Sequence, residues 1–170
     1  MPASPPRPQT AIRRFARIVD LSLAAVTVVV FVAVALATGV RSPWSAVIPC
    51  ALFLGAILLL RRRLPIAVLL LSVAAVFAYH FVSWSPAGWI WPVSAAYFTA
   101  AATSHVRWVA AIGVAQLVYS AVDARWMLDR NVTRYLIHTL GEGLLLAALV
   151  AAGLAYATSL RSRGSQGLHS

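Results

Sequence analysis

The sequence predicts an all-α fold, a polytopic membrane bundle of about six transmembrane helices, and three observations predict it. Of 170 residues, 61% are hydrophobic and only 11% charged, too little charge to cover a soluble domain of this size. Apolar runs of about 17 to 22 residues recur along the chain, the length that crosses a hydrocarbon core of roughly 30 Å at 1.5 Å per residue. All 14 basic residues are arginine, gathered in short clusters between the apolar runs, where topology-setting charges belong.

The elements follow in order. Residues Met1–Thr10 are rich in Pro and Ser and read as a disordered arm that runs into the basic patch Arg13, Arg14 and Arg17. The first apolar run covers about Ile18–Val40. It is longer than the core of a secretory signal and is followed by more such runs, so it reads as a retained helix. The second spans about Trp44–Leu60, with Pro49 near its start, where a kink or a first-turn placement is tolerable, and Arg61-Arg62-Arg63 stops it. Pro65 opens the third, which runs to about Trp84, since proline suits a first helical position. Ser85-Pro86-Ala87-Gly88 is a turn signal, and the fourth run follows over about Trp89–Thr103, with Pro92 near its start. The fifth begins at about Trp108 and is strictly apolar only to Val122. Continuing through Met127 gives it spanning length. The sixth covers about Tyr135–Leu160 and precedes a Gly/Ser-containing tail. The domain plan is therefore an arm over 1–17, a bundle over 18–160 and a tail over 161–170.

Orientation follows from the arginines. With the N-terminus inside, ten arginines fall in inner segments and four (Arg41, Arg125, Arg130, Arg134) in outer ones, the positive-inside asymmetry. Both termini are then cytoplasmic, in a multi-pass protein of the cell membrane. Trp44, Trp84, Trp89, Trp91 and Trp126 fall near outer helix ends and Trp108 near an inner one, at the headgroup level that tryptophan prefers.

The net charge of +10 would suggest nucleic acid in a soluble protein, but no basic stripe is interleaved with aromatics on a soluble face. Cys50, the single cysteine, excludes an intramolecular disulfide and a cysteine zinc site; inside an apolar run it reads as a small hydrophobe. No nucleophile motif, phosphate loop, HExxH pair or nucleotide fingerprint occurs. No catalytic residue, cofactor or metal is expected.

Ionisable groups inside a membrane are costly and mark functional candidates. Asp20, one turn into the first helix, is expected to pair with nearby arginines such as Arg13 and Arg17. Arg134, His138 and Glu142 recur every four residues and form a polar line down one face of the sixth helix. Gln116, Ser120 and Asp123 make a second polar stripe on the fifth, and His80 lies at comparable depth on the third. If these stripes face one another, the outer half of the bundle holds a polar cluster. It would either satisfy polar groups between helices or respond to protons, since a histidine near a carboxylate titrates in the physiological range. Gly141, Gly143, Gly153 and the Ala147/Ala151 and Ala148/Ala152 pairs suit close packing, within the bundle or between copies.

Three segments carry a resemblance. Asp20-Leu21 opens the first helix after a basic arm, the second and third helices are joined by Leu60-Arg61-Arg62-Arg63-Leu64-Pro65-Ile66-Ala67-Val68-Leu69-Leu70-Leu71-Ser72, and the fourth contains Ala96-Tyr97-Phe98-Thr99-Ala100-Ala101. This order resembles the N-terminal membrane domain of actinobacterial sensor histidine kinases, with their "LLRRRHPLAVLL"-like hairpin and "LYTAA"-like fourth helix; Leu64 stands where that pattern often has His. The likeness runs from Ile12 to Arg163. It implies a sensory or regulatory module of a two-component system, a truncated kinase or a stand-alone relative. In that family the last membrane helix continues into a dimerisation helix bearing the phosphoacceptor histidine. Here Gly164 and Gly167 disfavour further helix and His169 lacks an acidic neighbour, so no catalytic residue of the family carries over.

The expected function is a membrane input module in which an outer stimulus shifts helix packing. The alternatives are a small transporter or channel-like protein, for which the polar stripes would mark a path, and a passive interaction module. The partners expected are the lipid bilayer and a second copy or another membrane protein.

Overall fold

The computed structural model describes residues 8–37, 46–83, 90–127 and 132–166. They form α1 (Pro8–Ala37), α2 (Val47–Leu58), α3 (Pro65–Ser83), a 3-10 turn (Trp91–Val93) running into α4 (Ser94–Ala101), α5 (Val106–Met127) and α6 (Val132–Gln166). The described residues contain no strand. Four helices are long and apolar enough to cross a membrane: α1 over Arg14–Ala37, α3 over Pro65–Val82, α5 over Val106–Trp126 and α6 over Val132–Ser162. These mark a membrane protein. The valine-rich stretch of α1 would be a modest helix former in water, but in lipid every backbone N–H and C=O must bond internally, and a helix achieves that. Side-chain hydroxyls are met the same way, Thr27 donating to the Leu23 carbonyl at 2.9 Å and Thr99 to that of Ala95 at 2.8 Å.

Several expectations need correction. Helix begins at Pro8, so Arg13, Arg14 and Arg17 ride on α1 rather than on an irregular arm; Pro8 is preset for a first helical position. The second and fourth runs give shorter helices than their apolar lengths suggested. α2 has 12 residues and α4 has 8, about 18 and 12 Å at 1.5 Å per residue. The fifth run is helical through Asp123 to Met127, which gives α5 its spanning length. α6 starts three residues earlier than expected and passes Gly164 to reach Gln166. One interior glycine costs about 1 kcal/mol relative to alanine, which a long established helix absorbs because no new nucleus is needed. Trp44, Trp84, Trp89, the Ser85–Gly88 turn, Arg41, Arg130 and the tail from Gly167 with His169 lie outside the described residues.

Contacts order the helices. Asp20 on α1 meets Arg61 and Arg62 after α2, and Gly55 of α2 lies against Ala24 and Val28, so α1 and α2 are antiparallel. The 59–64 turn reverses the chain into α3, and the Cys50 thiol donates to the Ala75 carbonyl across that pair (Sγ–O 3.7 Å). Phe31 of α1 touches Tyr79 of α3 and Trp91, with ring centroids 5.1 and 5.8 Å apart. Trp91 is half-buried against Phe31. α4 runs back beside α3, and its Ala96, Tyr97, Ala100 and Ala101 are fully enclosed. At Gly153 of α6 an added Cβ would sit 2.7 Å from both the Phe98 carbonyl oxygen and Ala101 Cβ, so α4 and α6 touch nearly backbone to backbone, as small residues allow in membranes. α5 and α6 pair antiparallel, Gly113 beneath Leu146 and Ser120 beside Glu142.

One consequence positions the sites. Arg14, Arg17, the 61–63 turn, Arg107 and Arg161 gather at one end of the bundle, and Trp126 and Arg134 lie at the other.

Candidate functional site

The polar stripes of α5 and α6 do meet, toward the end of the bundle opposite the arginine cluster. Glu142 is buried, although in a lipid-exposed bundle its neighbours Gly141 and Leu144 are exposed. The Ser120 hydroxyl of α5 makes a short hydrogen bond to Glu142 Oε2. The Ile90 N–H, just before the 3-10 turn, donates to Glu142 Oε1 at 3.4 Å. His138, one turn from Glu142 on the same face, places Nε2 3.4 Å from Ser120 Oγ and 3.9 Å from Glu142 Oε1. His80 of α3 donates from Nδ1 to the Val76 carbonyl at 2.9 Å, since a carbonyl only accepts. It lies within electrostatic reach of Asp123, Glu142 and His138. Asp123 is half-buried on α5, and Arg134 is exposed one turn beyond His138 at the rim.

His80, Asp123, His138 and Glu142 therefore share one neighbourhood, while Gln116 belongs to its lower edge. Gln116 Oε1 accepts from the Tyr97 hydroxyl of α4 at 2.7 Å, and both side chains are fully buried. Sequence reasoning passed over Tyr97 and the Ile90 N–H. Tyr97 carried a signal, a phenol in an apolar run that needs a partner; a backbone donor carries none.

The Glu142–Ser120–His138 arrangement can hold its protons in two ways. With Glu142 ionised, the serine hydroxyl donates to the carboxylate and His138 Nε2–H donates to the serine oxygen. With Glu142 protonated, its O–H donates to the serine, whose hydroxyl turns to donate to a bare Nε2. The difference is one proton moved from imidazole to carboxylate. Among the described residues no group of three or more His, Cys, Asp or Glu is placed to hold a metal ion.

A second polar cluster sits at the arginine-rich end. Asp20 Oδ1 accepts from Arg61 Nη2 at 2.7 Å and Nε at 3.1 Å, and Oδ2 accepts from Arg62 Nε at 2.6 Å. Arg61 also reaches Thr99 Oγ1 of α4 at 3.5 Å, and Arg62 Nη2 donates to the Ala16 carbonyl at 3.2 Å. The partners of Asp20 are thus the arginines of the α2–α3 turn, because the antiparallel turn of α2 sets them against α1. The segment 90–99 links the two clusters, its start held by Glu142 and its end by Arg61.

Comparison with known proteins finds no match among family models, curated proteins or solved structures.

Proposed function

We propose that the chain is a sensory or regulatory membrane module of the kind that serves sensor histidine kinases as an input domain. Its bundle crosses the membrane six times with both ends cytoplasmic, α2 and α4 lying within the second and fourth crossings. The stimulus acts at the cluster of His80, Ser120, Asp123, His138 and Glu142, and α6 carries the response to the arginine-rich end. The observation that carries this reading is that Glu142 and His138, on α6, are held by Ser120 of α5 and the Ile90 N–H. A change in their protonation alters the α5–α6 and α4–α6 contacts together. Transmission requires two packings that differ in affinity for the stimulus, and a proton gained or lost by the Glu142–Ser120–His138 network would favour one over the other. The sensor resemblance of the Asp20, Arg61–Ser72 and Ala96–Ala101 segments supports the same conclusion.

The test uses the full chain in liposomes with Cys50→Ser and Ser162→Cys. Maleimide labelling of residue 162 should change as the pH on the Glu142 side is stepped between about 5 and 8. His138→Gln should flatten that response. A wild-type response that is flat, or one that survives His138→Gln, removes the reading. Proton flux that depends on His138 and Glu142 would replace it with transport.

A further inference from the structure

The arginine-rich end carries far more positive charge than the chain balances. Only four acids occur in the sequence, Asp20, Asp123, Asp129 and Glu142, and among the described residues Asp20 alone belongs to this end. Its two oxygens are both taken by Arg61 and Arg62. Arg14, Arg17, Arg63, Arg107 and Arg161 are exposed at the same end of the bundle. Arg62 is the informative member. Its guanidinium is pinned against α1 by the Asp20 carboxylate and the Ala16 carbonyl, yet its side chain is 52% exposed. Arg17 follows Ala16 directly in the chain, and Arg63 follows Arg62. Apolar residues stand exposed beside these arginines, Leu21 on α1 and Leu59 and Leu60 on the turn.

We propose that the seam between α1 and the α2–α3 turn binds the headgroup of an anionic phospholipid, with Arg17, Arg62 and Arg63 on its phosphate and the acyl chains along Leu21, Leu59 and Leu60. Guanidinium forks match phosphate oxygens bidentately. A guanidinium already fixed by Asp20 and Ala16 loses little further freedom on meeting an anion. The flanking apolar residues select a lipid over a soluble anion, because an inorganic phosphate leaves them unused. Exposed arginines near an anionic leaflet contribute individually, and here one of them is already fixed.

The experiment titrates detergent-purified protein with phosphatidylglycerol, phosphatidylcholine or inorganic phosphate and follows thermal unfolding. Phosphatidylglycerol should raise the melting temperature; the other two should not. Arg17→Gln and Arg63→Gln leave the Asp20 pairs intact, and each should weaken the apparent affinity about fivefold. Arg125→Gln, at the opposite end, should bind as wild type does. Equal stabilisation by phosphatidylcholine, replacement of the lipid by inorganic phosphate, or an unchanged affinity in Arg17→Gln/Arg63→Gln would each overturn the assignment.

Discussion

Asp20 spends both carboxylate oxygens on arginines 41 and 42 positions away in the chain, and its partners decide what its loss would do. Arg61 and Asp20 side chains are only 11% and 12% exposed. Removing one member of such a pair leaves a buried charge behind, a loss of about 3–5 kcal/mol. Asp20→Asn should therefore lower thermal stability in micelles steeply. Arg62→Gln should cost about 1 kcal/mol or less, because that pair is half in solvent. Comparable melting temperatures for the two variants would show that the pair is not buried in solution. At the other cluster, Ser120→Ala strips Glu142 of a donor and should cost about 1–3 kcal/mol, while Ser120→Thr, which keeps the hydroxyl, should recover most of it. At this scale the sequence was partly legible. The four-residue spacing of Arg134, His138 and Glu142 showed which side chains share a face. That Asp20 meets Arg61 and Arg62 depended on where α2 ends relative to α1, which no local pattern encodes.

Helices meet at glycines here, and the glycines are not equivalent. At Gly153 an added methyl would collide with α4 backbone, at Gly113 with the ends of the Leu146 side chain, and at Gly141 with nothing within 4 Å. Gly153→Ala should thus destabilise the bundle by about 1–3 kcal/mol. Gly141→Ala should be neutral or slightly stabilising through helix propensity. Chemical denaturation of both in the same micelle checks this; equal effects would contradict the close α4–α6 crossing. Small-residue spacing in the sequence pointed to α6 as a packing helix, and Gly153 fulfils that role. Ala147, Ala148, Ala151 and Ala152 instead face outward. Spacing identifies a face without saying what covers it. The same limit applied to length. Apolar runs marked where helices occur, but α2 and α4 proved shorter than their runs, because composition does not locate helix ends inside apolar sequence.

Across the whole molecule, hydrophobic content and arginine placement were enough to read a helical membrane bundle, and the contacts order its helices alternately up and down. That order gathers Arg14, Arg17, Arg61–Arg63, Arg107 and Arg161 at one end and leaves the Glu142 cluster toward the other. The sensory reading and the lipid site both depend on this separation, since one needs a stimulus on the far side and the other an anionic leaflet on the near side. Membrane-impermeant maleimide labelling of single cysteines in oriented vesicles, in a Cys50→Ser background, reads it directly. Leu64→Cys, Ser104→Cys and Ser162→Cys should all react from the cytoplasmic face, and Thr133→Cys only from the opposite face. Labelling of any of the first three from the same side as Thr133→Cys would contradict the arrangement.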